Sequence, residues 1–292
     1  MHSLILWNDR IVPATEKVLS PGQLGLLSGW GVFTTLRIYD GVPFEFERHW
    51  ARMTKDSKLL HVPFSHDREQ TRQRVAELVR ANHAENAVAR MCIVRNQGGF
   101  WAGPGISNES DLIVLTSDLK PWPPSMRLTV VRHARHAASA FAGAKILSWA
   151  YNLTLVEEAQ SRGFDEVILL NEREEVAECT SANILAVIGG KVCTPPLSSG
   201  CLPGVTRSVL LDLTRSVMLE KIGGIEERVL RLEDLYGAQE VMVTSTTREL
   251  MPVSEIDGRT IPVGPVRDRL QHAYAEYVRR HVSKFAVLAS QS

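Results

Sequence analysis

Surplus charge of either sign, paired cysteines, long apolar runs and nucleotide-binding glycine patterns are all missing from this chain. Its 33 basic and 33 acidic residues cancel to a formal net charge of zero, so no basic field points to nucleic acid or an anionic lipid surface. Four cysteines, Cys92, Cys179, Cys193 and Cys201, show no CxxC spacing and fall in apolar or loop stretches. Reduced thiols in a cytoplasmic protein fit that usage better than a disulfide framework or a zinc site. His133 and His136 stand as HxxH with no other ligand cluster nearby; they read as solvated polar residues, and no metal is expected. No run approaches a membrane span, and the opening MHSLILWNDR has too short an apolar run and no cleavage pattern for a secretory signal. Gly22, Gly25, Gly29 and Gly31 miss the dinucleotide spacing and nothing resembles a GK[ST] loop, which argues against a Rossmann or P-loop site. No internal repeat or low-complexity segment stands out.

What remains is an ordinary globular composition, 44% hydrophobic and 23% charged over 292 residues, enough for one large or two medium domains. The run DLKPWPPS, 118–125, holds three prolines, which favour an extended, semi-rigid connector. The domain boundary is placed there, dividing 1–117 from 126–292. Lysine is scarce, with 8 of the 33 basic residues, so a lysine in apolar company is noticeable.

That lysine is Lys145. It follows Ala140, Ala142, Gly143 and Ala144 and precedes Ile146 and Leu147, a setting that desolvates an ammonium, favours loss of its proton and lets the amine attack a carbonyl. Further on, Glu178 stands between Ala177 and Cys179 just before an apparent strand, 182–187; a carboxylate buried there needs a cationic or N–H partner. The loop Leu202, Pro203, Gly204, Val205, Thr206 leads into the apolar-periodic Val209, Leu210, Leu213 and Val217, placing backbone N–H groups and a hydroxyl at a helix N-terminus, where anions bind. An amine, a carboxylate and an anion cradle are what pyridoxal phosphate asks for, with its aldehyde, its ring nitrogen and its phosphate.

Elsewhere, 3–7 and 11–12 read as strands, and 32–39 and 42–46 as two β-rich runs joined by the Asp40-Gly41 turn. Helical periodicity covers 47–60, with His49 on a solvated face, and 67–82. Strands at 87–95 and 111–117 flank the glycine-rich loop NQGGFWAGPGISNES, read either as a pocket-closing loop or as a surface excursion. Beyond the connector come a strand at 127–132, a helix at 152–162, a strand at 166–170, a hairpin across Gly189-Gly190, a helix at 206–222, a strand at 240–244 and a terminal helix at 266–285.

The segments GFDEVILLN, AECTSAN, TPPL, LPGVTR and TSTTRELMPV, with Lys145 ahead of them, resemble the class IV (fold type IV) pyridoxal-phosphate enzymes: branched-chain aminotransferases, D-amino-acid aminotransferases and aminodeoxychorismate lyases. Matching segments run from about residue 25 to residue 258 in the family's order. The resemblance implies an α+β (mixed α/β) two-domain fold, the smaller α/β domain N-terminal and the larger C-terminal one on a β-barrel-like core. It implies pyridoxal 5'-phosphate on Lys145, with Arg52 of HWARM, Thr206 and Thr246 as phosphate ligands beside the Val205 and Thr206 amides. Glu178 would face the ring nitrogen and Leu202 would pack on the ring. The substrate candidates are Phe33, Thr35, Arg95 and Thr247. A homodimer acting on a small amino acid and a 2-oxo acid is implied as well. LPGVTR and DEVILL favour a branched-chain-type transaminase; Phe33-Thr34-Thr35 and IVRNQGG point to the lyase as the alternative. Trp149 and Ala150 stand where branched-chain enzymes place a tyrosine, and Tyr151 follows.

Overall fold

The computed structural model describes residues 1–98, 106, 108–215 and 224–289, with side chains to 285. The chain is a mixed α/β fold in two compact units. Unit 1 comprises Met1–Lys120, Ala144–Trp149 and the chain from Arg280; unit 2 comprises Pro121–Gly143 and Ala150–Arg279. Residues 144–149, Lys145 among them, thus group with the first unit although they follow the proline-rich connector in sequence.

In unit 1, β1 (Leu4–Trp7), β2 (Arg10–Pro13), β3 (Gly31–Tyr39), β4 (Val42–Pro43), β5 (Ala87–Arg95) and β6 (Ser110–Asp118) form an antiparallel sheet in the order β2-β1-β6-β5-β3-β4. A short helix, α1 (Leu24–Ser28), precedes β3; α2 (Phe46–Leu59) and α3 (Arg68–Ala81) follow β4. Period-2 alternation decides the faces. Val32, Leu36 and Ile38 of β3 join Ala89, Met91 and Ile93 of β5 and Phe46, Met53, Val75 and Leu78 of the helices in one core. The β3–β4 turn has Asp40 at φ 48° and Gly41 at φ 78°, two positive values that match the right-handed twist of a tight hairpin. The second β-run ends earlier than its composition predicts. Pairing stops at Pro43, and Glu45 takes φ 53° and turns the chain straight into α2.

Unit 2 is built on β7 (Met126–Arg135), β8 (Glu166–Asn171), β9 (Val176–Cys179), β10 (Asn183–Ile188), β11 (Lys191–Thr194), β12 (Ile225–Glu227), β13 (Glu240–Ser245), β14 (Glu249–Ile256) and β15 (Arg259–Thr260). They run β12-β11-β10-β13-β14-β7-β8-β9, with β15 on β14, as a curled half-barrel sheet of mixed polarity. Its helices are α4 (Ala150–Ser161), α5 (Val205–Arg215), α6 (Leu232–Tyr236) and α7 (Pro265–Ala289), the last reaching into the chain assigned to unit 1. The core is aliphatic, with Leu128, Ile168, Leu170, Ile184, Val243 and Val253 fully buried.

Strand β14 is absent from the sequence reading because Pro252 interrupts it, and proline is ordinarily confined to edges and bulges. Here Pro252 pairs with Met242 of β13, whereas pairing with β7 begins only at Val253 and is bulged between Val253 and Glu255. The missing N–H therefore breaks no ladder bond to β7. The helix expected over 206–222 is seen as Val205–Arg215, and its remainder lies outside the described residues, as do Phe100 and Trp101 of the glycine-rich loop. All four cysteines are free and buried; burial pushes Cys92 to about 11 and, with the Glu178 charge, Cys201 to about 12, so neither is a thiolate nucleophile.

Candidate functional site

Lys145 lies in a three-peptide extension of the first sheet. Phe33 N–H donates to Lys145 O at 3.0 Å and Leu147 N–H to Gly31 O at 2.9 Å, with Ile146 bridged to Val32. Its side chain is half-buried, and Nζ stands 4.4 Å from the centre of the Phe33 ring and 5.8 Å from that of Trp149. The sequence predicts a largely desolvated amine; the structure gives one shielded by two aromatic faces instead. Trp149, four residues on, meets Phe33 edge to face at 5.9 Å.

The phosphate candidate Arg52 is 9% exposed, on the inner face of α2. Its Nη2 donates to Thr34 Oγ1 at 2.8 Å, and Thr34 Oγ1 lies 2.6 Å from His49 Nδ1. Thr34 Oγ1 thus accepts from Arg52 and shares a second hydrogen bond with the His49 ring nitrogen. Burial, then the charges of Arg52 and Lys145, push the His49 pKa well below its ordinary value, which favours the neutral imidazole. His49 is 1% exposed rather than solvated. Thr34 explains why: it belongs to the core-facing row of β3, and it draws the polar stripe of α2 inward.

Of the substrate candidates, Phe33 and Thr35 share one face of β3, and cross-strand pairing sets Thr35 opposite Arg90. The Arg90 guanidinium stands 4.6 Å from the Phe33 ring centre and 6.0 Å from that of Trp149. Lys145 and Arg90 therefore share the same two rings. Arg95, five residues along the strand and on the opposite face, spends its donors on Gln97 O at 2.8 Å and His61 O at 2.7 Å and stacks on Trp30 at 4.1 Å. Its contacts are structural. Arg90 was missed by sequence reasoning; strand parity relative to Phe33 is the signal that would have found it.

In unit 2, Glu178 is 8% exposed. Its Oε1 receives Arg135 Nε at 3.2 Å and its Oε2 the Leu202 N–H at 3.0 Å. Arg135 Nη1 also donates to Asn152 Oδ1 at 3.3 Å, and Asn152 Nδ2 to Thr180 O at 2.8 Å, tying the pair to α4. The partners anticipated for a buried carboxylate are thus a guanidinium and an amide. On the far side of Leu202, Asn183 Nδ2 donates to Leu202 O at 2.9 Å, and a Cβ on Gly204 would fall 2.0 Å from Asn183 Oδ1. Only glycine permits that approach. The first helical bond of α5 closes from Ser208 N–H to Gly204 O, so the Val205, Thr206 and Arg207 N–H groups have no intrahelical acceptor. Thr206 is 3% exposed among them. Thr246 and Thr247 occupy the β13–β14 turn, both half-buried, and Thr247 O accepts Trp122 Nε1 at 3.1 Å. Among the described residues, the buried Thr244 Oγ1, opposite Asn183 in register, has no hydrogen-bond partner.

Each unit carries groups of a kind that pyridoxal phosphate takes: in unit 1 an amine against aromatic faces, and in unit 2 a buried carboxylate bonded by a guanidinium and an amide, with a helix start and buried hydroxyl for an anion. Among the described residues no cluster of three or more His, Cys, Asp or Glu could hold a metal ion, and no helix is long and apolar enough to cross a membrane.

The family model "Amino-transferase class IV" matches residues 31–256, and the chain belongs to that family of pyridoxal-phosphate-dependent enzymes. A Methanocaldococcus jannaschii protein named for branched-chain-amino-acid transamination is 30% identical over 283 residues, spanning 93% of this chain and 95% of the relative. The D-alanine aminotransferase of Bacillus licheniformis is 26% identical over 284 residues, covering 96% and 99%. Among solved structures, the branched-chain amino acid aminotransferase from Escherichia coli superposes with a TM-score of 0.83 at 27% identity, covering 94% and 93% of the two chains.

Proposed function

We propose that this protein is a pyridoxal 5'-phosphate-dependent transaminase moving an amino group between an amino acid and a 2-oxo acid, with branched-chain-type donors favoured, and that it works as a homodimer. The observation that carries the reading is Lys145, one of only 8 lysines in the chain, whose Nζ stands 4.4 Å from the Phe33 ring centre on a main chain bonded to β3. Support for the branched-chain donor comes from the M. jannaschii relative.

When bound, pyridoxal phosphate supplies an aldehyde that condenses with amines and a ring that accepts the electron pair left by a departing proton. Lys145 would hold the cofactor and, once released by the incoming amino group, would carry the proton between the substrate α-carbon and the cofactor C4′ carbon. Glu178, bonded by Arg135 and the Leu202 amide, would hold a proton at the ring nitrogen. Arg52, Thr206, Thr246 and the amides of Val205 and Thr206 would bind the phosphate, and Leu202 would cover a ring face. Phe33, Thr35 and Thr247 would line the substrate's place, with Arg90 rather than Arg95 as the cation for a substrate carboxylate.

The visible spectrum of purified protein, recorded before and after adding L- and D-amino acids, tests the reading. Conversion of the bound-cofactor band by branched-chain L-amino acids is the expected result. Thr34 and Thr35 favour one second reading, the lyase: a coloured protein that no amino acid converts, but that releases pyruvate from aminodeoxychorismate, would establish it. A protein that takes up no pyridoxal phosphate overturns both.

Arg90→Ala is expected to raise KM for the amino donor about tenfold, roughly 1.4 kcal/mol of lost binding, with a smaller change in kcat. Arg95→Ala is expected to change KM little and to lower Tm, through loss of its carbonyl bonds. Steady-state kinetics and melting on the two variants separate the assignments.

A further inference from the structure

We infer that Asp56 is a positioning residue for the Lys145 amine, fixing its main chain and facing its charge from helix α2. This rests on the reading of Lys145 given above and goes beyond the family's site residues. The Lys145 carbonyl is held by β3, through Phe33 N–H at 3.0 Å, whereas its own N–H donates to Asp56 Oδ2 at 3.1 Å. Asp56 therefore takes a main-chain N–H of the added strand that β3 does not.

Its neighbours show that the carboxylate does more than accept that bond. Asp56 is 3% exposed, and a neutral side chain of the same reach would accept an N–H without the cost of a buried charge. Burial pushes its pKa above the ordinary carboxylate value, opposed by the Lys145 N–H bond and by the charges of Arg52, Lys55 and Lys145. Three of the cations around it are thus Arg52, one turn back on α2, Lys55 beside it and Lys145 across from it, while the nearby His49 is held neutral. The stripe His49, Arg52, Asp56 is the buried polar row of α2, and it meets the sheet at Thr34 and at Lys145. A negative charge there favours the protonated amine and holds the side chain's root in one place.

The test uses the full chain without cofactor, as wild type, Asp56→Asn and Asp56→Ala. With 8 lysines in the chain, reductive ¹³C-methylation and NMR titration resolve the Lys145 amine, assigned by its disappearance in Lys145→Arg. Asp56→Asn keeps an acceptor and loses the charge; it is expected to lower the Lys145 pKa by about half a unit or more with Tm held or raised. Asp56→Ala is expected to speed hydrogen exchange of the Lys145 amide at least tenfold, an effect the asparagine variant does not share. An unchanged Lys145 pKa in Asp56→Asn, with unchanged amide exchange in Asp56→Ala where that variant folds, overturns the proposal. Both readouts are taken on apoprotein, so they answer for Asp56 even if pyridoxal phosphate uptake, measured separately, refutes the cofactor reading.

Discussion

Lys145→Ala lowers turnover by at least about 10⁴-fold, the upper range of a single acid–base contribution, and leaves the fold in place. The magnitude follows from the loss at once of the two roles proposed for it: the amine that holds the cofactor and the base that moves the α-proton. In barrier terms it is about 5.5 kcal/mol. The structural cost is small by comparison. The side chain is half-buried and its ammonium stands against the Phe33 and Trp149 rings, and such cation–π contacts contribute about 0.5–1 kcal/mol when part-exposed. Tm is therefore expected to fall by no more than a few degrees, and far-UV circular dichroism to stay unchanged. Added methylamine should restore part of the activity, because a free amine can move the proton that the missing side chain moved. Full activity in the variant would sink the assignment of Lys145, and collapse of the fold would contradict its half-buried placement.

What the sequence made legible is what local chemistry dictates. The Asp40-Gly41 and Gly189-Gly190 turns are readable because two successive positive φ values select those residues. Lys145 and Glu178 stand out because an amine or a carboxylate in apolar company needs a reason. The polar stripe of α2 was not legible. His49, Arg52 and Asp56 at helical spacing look like the solvated face of an amphipathic helix, and only the core-facing Thr34, fixed by strand parity across the sheet, turns that face inward. The same parity separates Arg90 from Arg95, which a reading of composition treats alike. Strand β14 was hidden by Pro252, and β9 by the carboxylate it carries, Glu178, whose Arg135 partner lies 43 residues away in sequence. In each case the missing information was a long-range contact, which periodicity along one segment does not contain.

Glu178→Gln is the sharper probe of the chemistry, because it changes charge and almost nothing else. The amide keeps the shape of the carboxylate and can still accept the Leu202 N–H that now lies at 3.0 Å. It cannot balance Arg135, whose Nε stands 3.2 Å from Oε1, nor hold a proton at a ring nitrogen as an anion does. Turnover is expected to fall by about 10²–10³-fold, or roughly 3–4 kcal/mol in the barrier. KM is expected to change little, and the bound cofactor to remain. Arg135 is not fully buried, at 21% side-chain exposure, so water relieves part of its lost pairing, and the stability loss should stay near 1–3 kcal/mol rather than the larger penalty of a sealed pair. Glu178→Ala removes the acceptor as well and should destabilise further, loosening the Leu202 loop and with it the start of α5. Single-turnover kinetics set beside thermal melting separate the two losses. A glutamine variant with native turnover would mean that the carboxylate serves only to anchor Arg135 and Leu202, and that the ring nitrogen is not its partner.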